Sequence, residues 1–154
     1  MAVYNGSAFL RTAIDSILQQ TYRNFRFLIV DDASTDDTRE IVGSYPDERI
    51  ELLCLDRNVG QTAALSRGLH HASTPWIARM DADDIAHPGR LRSQFQLLTR
   101  SPDLAGVTGQ VHLLTQQGEG MQRYVDWVNG LKNPEDIARE RFVECPLIQP
   151  SLMI

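Results

Sequence analysis

The chain has 154 residues, the size of one domain. It is 42% hydrophobic and 23% charged, with a net charge of −5, values that exclude a disordered chain and argue against a basic nucleic-acid clamp. No apolar run reaches the ~20 residues of a helical membrane span, and no basic, apolar, small-residue signal peptide opens the chain.

In chain order, "MAVYN" reads as the last residues of a strand. In "GSAFLRTAIDSILQQ", Leu10, Ala13, Ile14, Ile17 and Leu18 share one helical face, with Ser7 as the expected cap. "NFRFLIV" predicts a strand ending at Asp31 and Asp32, and "ASTDDTREIVGSY" a helix with Ser34 and Asp37 at capping-box spacing. "RIELLCL" predicts a strand, "RNVG" a turn, "QTAALSRGLHHA" a helix and "PWIARM" a third full strand. Pro88 suits the first turn of a helix over "PGRLRSQFQLLTR". Further on, "VHLLTQQGEGMQRYV" predicts a hairpin around Gly118 and Gly120, and "NPEDIARERFVE" a helix opened by Asn133 and Pro134. Both ends of the chain read as cuts within a longer domain. Cys54 and Cys145 lack metal-type spacing and read as buried thiols of a reducing compartment.

Strand alternating with helix implies right-handed crossovers and one α/β domain over residues 1–154, a Rossmann-like, mostly parallel sheet flanked by helices. Ligands of such sheets collect at the carboxyl ends of the strands. Four polar segments converge there: "VYNG", "VDDASTDD", "DRNVG" and "RMDADD".

Asp81, Asp83 and Asp84 end a strand, so Asp81 and Asp83 are expected on the same side of it. Neighbouring carboxylates repel unless something positive lies between them. A hard cation answers that need, because Mg²⁺ takes one or two carboxylates and completes its shell with phosphate oxygens and water. Helix capping before "IAHPGRL" accounts for Asp84 alone. Asp31 and Asp32 read two ways, as acceptors for a base or ribose or as a turn before the helix at Asp36 and Asp37. There is no P-loop, no G-x-G-x-x-G after a strand, no EF-hand glycine and no G-x-S-x-G elbow. His70, His71, His87 and His112 lack metal-ligand spacing and read as surface or packing residues.

Taken together, "AVYNG", "LIVDDASTDDT", "DRNVGQTAALSRGLHHA" and "WIARMDADDIAHPGRLRSQFQLL" resemble, in order, the motifs of family 2 glycosyltransferases of the GT-A fold. "CPLIQPSLMI" is similar to the segment that often follows. Arg79 before the aspartates, with Pro88, Arg90, Leu91 and Gln94 after them, looks like the bacterial enzymes that build surface polysaccharides.

The resemblance implies metal-dependent, inverting transfer of a sugar from a nucleotide diphosphate, UDP-type favoured, to a hydroxyl of a glycan or lipid-linked acceptor. It implies a donor-binding half over residues 1–110 and the start of an acceptor side over 111–154. Tyr4 and Asn5 would flank base and ribose. Asp31 or Asp32, with Asp32 favoured, would accept from the base. Asn58 and Gly60 would shape the loop over the nucleotide, Asp81 would hold ribose or donor sugar, and Asp83 would ligate Mg²⁺ or Mn²⁺. The family's catalytic base comes from an acidic motif further along, so none is assigned; Glu135 and Asp136 read as first-turn acids of a helix. Leu65 and Ser66 stand where many relatives carry Arg-Asn, and Gln149 where they often carry His. The expected setting is cytoplasmic, with peripheral contact at the inner membrane face and no nucleic-acid partner. Two alternatives remain. A sugar-phosphate nucleotidyltransferase wants a basic, Gly-rich first loop, where only Gly6 and Arg11 stand. A non-catalytic nucleotide-binding or receiver-like module wants a lysine at a strand end, and the only lysine is Lys132.

Overall fold

Alternation along one strand decides the architecture. The computed structural model describes residues 1–115 and 118–154. Strand β2 (Phe27–Asp31) lies between β1 (Ala2–Val3) and β3 (Ile50–Cys54) in a parallel sheet, with Val30 opposite Ala2 on one side and Leu53 on the other. Phe27 and Ile29 enter one apolar cluster, Leu28 and Val30 another, as a period of two requires. The first cluster is closed by α1 (Leu10–Leu18) and α2 (Thr38–Gly43), the second by α3 (Gln61–His71). Helices therefore cover both faces, and the α/β fold with a parallel sheet is as the sequence predicts.

The α1 stripe is also as predicted: Leu10, Ala13, Ile14 and Ile17 are buried. Leu10, Ile14 and Ile29 are 0% exposed; each contributes roughly 1.5–3 kcal/mol of transfer free energy, which holds α1 against the sheet. On the opposite face a Cβ added at Gly68 would come 2.9 Å from Val30 Cγ2, so α3 sits as close to β2 as a bare backbone allows.

Residues 76–80 do not form the expected full strand. β1 is only two residues long, and a cavity of about 980 Å³ opens between Phe27 and Leu28 of β2 and Trp76 and Ile77. The 76–80 segment pairs instead, antiparallel, with 152–154. Ile77 N–H donates to Ile154 O (2.7 Å), Ile154 N–H returns to Ile77 O (3.0 Å), and Arg79 N–H reaches Leu152 O (2.8 Å). Met153 also bridges Val107. Helix α4 (Arg90–Arg100) packs Leu91 and Leu98 against Met153, and Phe95 against Tyr22 at a ring separation of 4.9 Å.

Several local expectations are overturned. The hairpin expected over 111–125 gives way to helix α5 (Glu119–Gly130), because Val125 and Val128 fall on a buried helical face; residues 116 and 117 of that stretch lie outside the described residues. Ser7 does not cap α1, which starts from Phe9 after a turn onto Gly6 O. Ser34 and Asp37 form no capping box, since the Ser34 hydroxyl accepts from Asn5 N–H. Pro88 precedes α4, whose first residue is Arg90. Cys54 and Cys145 are exposed; Cys54 is the last residue of β3, which among the described residues pairs only with β2. Helix α6 (Pro134–Glu140) matches its prediction, with the Asn133 side chain accepting from Asp136 N–H.

Candidate functional site

The first two loops are laced together by side chains accepting from main chain. Asn5 N–H donates to Ser34 Oγ (2.9 Å), and Thr35 N–H returns to Asn5 Oδ1 (2.8 Å). Gly6 N–H reaches Thr38 Oγ1 (3.0 Å) and Ser7 N–H reaches Asp36 Oδ2 (3.0 Å). Asn5 takes φ 50° and Ala33 φ 60°, left-handed backbone that these bonds hold in place. Gly6 is wedged beneath the loop: an added Cβ would run into the Val3 side chain and come within 3.9 Å of the Ala82 Cβ, so this turn lies close to the acidic run. Tyr4 and Asn5 remain exposed on top.

Adjacent aspartates at the end of β2 diverge because alternation sends them to opposite faces. Asp31, 0% exposed, pairs with the Arg39 guanidinium of α2 and accepts from Ser34 N–H at 3.2 Å. Asp32, 2% exposed, turns the other way and accepts from Val59 N–H (2.8 Å, Oδ1) and Gly60 N–H (2.9 Å, Oδ2). One carboxylate thus fixes the loop carrying Asn58, which is itself exposed, and Gly60, whose φ of 85° suits glycine.

The acidic run behaves differently from the expectation of a continued strand. The chain turns at 81–84, with Asp84 N–H over Asp81 O (3.4 Å), so Asp81 and Asp83 do not share a strand face. It is Arg79 and Asp81 that meet, Nη2 to Oδ1 at 3.1 Å, with Gln61 Nε2 a longer 3.4 Å from the same oxygen. Asp83 is exposed. Burial, then the charges of Asp81 and Asp83, push the Asp84 carboxyl above its ordinary range. Since α4 starts six positions later, at Arg90, Asp84 caps nothing.

Behind this run lies a polar scaffold the sequence did not single out by role. Gln20, 0% exposed and two residues past the end of α1, donates to His87 O (2.8 Å) and accepts from Leu91 N–H (3.0 Å). Ser16 Oγ accepts from Ala86 N–H at 3.0 Å. A polar residue at the end of an apolar helical stripe was the available signal for Gln20. The glutamine expected in place of a histidine, Gln149, accepts from Arg79 Nη1 at 2.6 Å. Glu135 and Asp136 stand in the first turn of α6, with Asp136 held by Arg139 and Asn133. All four histidines are exposed, and the apolar 980 Å³ cavity lies beside the acidic mouth without including Asp31, Asp32, Asp81 or Asp83.

The acidic run presents one exposed carboxylate, Asp83, beside the half-buried Asp84. No group of three potential ligands clusters among the described residues. Asp83, with Asp84 beside it, offers the one or two hard oxygens that Mg²⁺ or Mn²⁺ takes when a diphosphate and water supply the rest.

A sheet with helices on both faces and polar loops meeting at its strand ends is the GT-A arrangement. S. aureus TarS, solved in complex with UDP-GlcNAc, shares this fold with a TM-score of 0.71 at 21% identity, covering 76% of this chain and 34% of that one. The mannosyltransferase PcManGT from Pyrobaculum calidifontis, solved with GDP-Man and Mn²⁺, is 26% identical with a TM-score of 0.63, over 70% of this chain and 33% of its own. The family model "Glycosyl transferase family 2" matches residues 1–146, and the chain belongs to that family. The uncharacterized glycosyltransferase MJ1057 of Methanocaldococcus jannaschii is 31% identical over the whole of this chain and 53% of its own length. The chain thus spans about half of that relative.

Proposed function

We propose that this chain forms the nucleotide-sugar donor site of an inverting, metal-dependent glycosyltransferase acting on a glycan or lipid-linked acceptor. One observation carries the reading: the loops at 4–7, 31–38 and 58–61 are joined side chain to main chain at the strand ends, and the 79–84 loop meets them through the longer Gln61–Asp81 side-chain contact. Tyr4 and Asn5 offer an exposed ring and amide for base and ribose. Asp32 is favoured over Asp31 for the base: its two loop bonds leave each oxygen a further lone pair, whereas Asp31 is committed to Arg39. Asn58 and Gly60 form the lid edge over the nucleotide, and Asp81 faces ribose or sugar. Residues 1–110 make the donor half, and 111–154 begin the acceptor side.

Asp83 is the proposed metal ligand. A bound Mg²⁺ or Mn²⁺ supplies charge neutralisation to the leaving diphosphate. The solved complexes of TarS with UDP-GlcNAc and of PcManGT with GDP-Man and Mn²⁺ support the donor class and the metal. Proton removal from the acceptor hydroxyl requires a carboxylate. Asp136 is tied into its helix cap, so neither it nor the adjacent first-turn Glu135 is assigned that role. No helix among the described residues is long and apolar enough to cross a membrane; a cytoplasmic site, reaching lipid-linked acceptors at the inner membrane face, is the setting we favour.

The test is calorimetric titration of UDP, UDP-glucose, GDP and dTDP with Mn²⁺ and with EDTA. Metal-dependent binding of one nucleotide is expected, lost in Asp83→Ala while the circular dichroism spectrum stays unchanged. Binding that survives in Asp83→Ala would remove that residue from the metal site.

A further inference from the structure

Gln149 arrives at the acidic mouth from a segment 70 residues away in sequence, and it lands on Arg79 rather than on an aspartate. Its carbonyl oxygen accepts from Arg79 Nη1 at 2.6 Å, while Nη2 of the same guanidinium donates to Asp81 Oδ1 at 3.1 Å. We propose that Gln149 and Arg79 are positioning residues for the donor end of the site: Gln149 sets the Arg79 guanidinium, which in turn sets the Asp81 carboxylate. This rests on the donor-site reading above.

Both ends of this strut stand on fixed backbone. Arg79 donates its N–H to Leu152 O (2.8 Å), and its carbonyl accepts from Arg90 Nη2 at 2.6 Å. Arg90 also reaches Pro150 O (3.0 Å) and holds Gln94 by its Nε (3.1 Å). Gln94 in turn donates to Ser151 O at 2.7 Å. Residues 79 and 149–151 are therefore clamped to one another by the first turns of α4, and α4 is pinned to α1 through Gln20. A free arginine side chain samples many rotamers. One bonded at Nη1, on a backbone hydrogen-bonded at both its N–H and its carbonyl, has fewer placements open to Nη2. The other contact to Asp81 Oδ1, from Gln61 Nε2 at 3.4 Å, is too long to take over that task.

The chemistry of position 149 also matters. A neutral carboxamide accepts from the guanidinium without cancelling its charge, so the charge serves Asp81. A carboxylate there would compete for the same cation and release Asp81. The side chain that the resemblance assigns to ribose or donor sugar is thereby governed by the 149–151 turn.

Two measurements on Gln149→Glu, Gln149→Met, Arg79→Met and Asp81→Asn test this. The first needs no ligand. Gln149 and Asp81 share no bond, so their melting shifts add unless Arg79 relays between them. We expect the double variant Gln149→Met/Asp81→Asn to depart from the sum of its parts by about 2 °C or more, and the departure to vanish in an Arg79→Met background. The second is titration with UDP–Mn²⁺ and UDP-glucose–Mn²⁺, where Gln149→Glu should change the ratio of the two affinities tenfold or more and UDP itself less than threefold. Additive melting shifts would overturn the strut. Coupled melting with UDP and UDP-glucose weakened equally would overturn its role at the sugar. Wild-type protein that binds neither ligand would instead refute the donor-site reading, leaving the melting cycle to judge the strut.

Discussion

Replacing Asp32 by asparagine tests whether one buried carboxylate holds the Asn58–Gly60 loop. In the native site its two oxygens accept from Val59 and Gly60 N–H at 2.8 and 2.9 Å. Asparagine keeps the shape but presents one oxygen and one NH₂, so one loop N–H faces another donor. A hydrogen bond to a charged group contributes about 1.5–3 kcal/mol. Both loop amides are only partly buried, so water recovers some of that loss and the lower end applies. At ~2–4 °C per kcal/mol for a domain of this size, a loss of ~1.5–2 kcal/mol lowers Tm by about 3–8 °C. Asp83→Asn is the control: an exposed carboxylate with no hydrogen-bond partner among the described residues, whose loss costs within ~0.5 kcal/mol. Thermal melts followed at 222 nm would compare the two. If Asp32→Asn melts with the wild type, the carboxylate does not carry the loop and the reasoning fails.

Other expectations follow from the same geometry. Gly60→Ala meets no atom within 4 Å of its new Cβ, so its cost is conformational: at φ 85°, ψ 156° we expect roughly 1–3 kcal/mol from chemical denaturation, and no change would mean the loop relaxes freely. Arg39→Met leaves the buried Asp31 carboxylate with the Ser34 N–H alone among the described residues, so the protein should melt lower than the wild type, and a Tm drop under about 2 °C would contradict it. In acid, three carboxylates titrate below their ordinary values: Asp36 through the Thr38 hydroxyl, Asp47 to about 2 through Arg49, and Glu51 through His71. Each folded-state value is depressed, so the unfolded chain takes up protons first. Stability present above about pH 4.5 is then lost as pH falls toward 2, which a pH series of urea melts reads directly.

The residues of the mouth that follow β1, β2 and β3 were legible in the sequence, because β-strand period and turn residues are local signals. Asp31 and Asp32 stand at the end of β2 as expected, whereas Asp81 and Asp83 stand in a turn that follows no full strand. Their partners were not legible. That two neighbouring aspartates serve different helices follows from alternation, but which donors wait on each side depends on how α2 and α3 cross the sheet. The hairpin expected around Gly118 failed for a related reason: glycines at a helix start and at a turn look alike until the burial of Val125 and Val128 selects the helix.

Composition and periodicity by themselves determined an α/β chain with helices on both faces and an acidic mouth at the strand ends, since these depend on residue spacing along a few turns. Only tertiary structure decided that "WIARM" pairs with the 152–154 segment, that Arg79 supplies the charge beside Asp81, and that Gln149 anchors it. The pairing of "WIARM" and the Gln149 anchor join residues 70 or more apart, and the Arg79–Asp81 contact two positions apart depends on that anchor; no local rule of backbone preference or burial can select one distant partner among many.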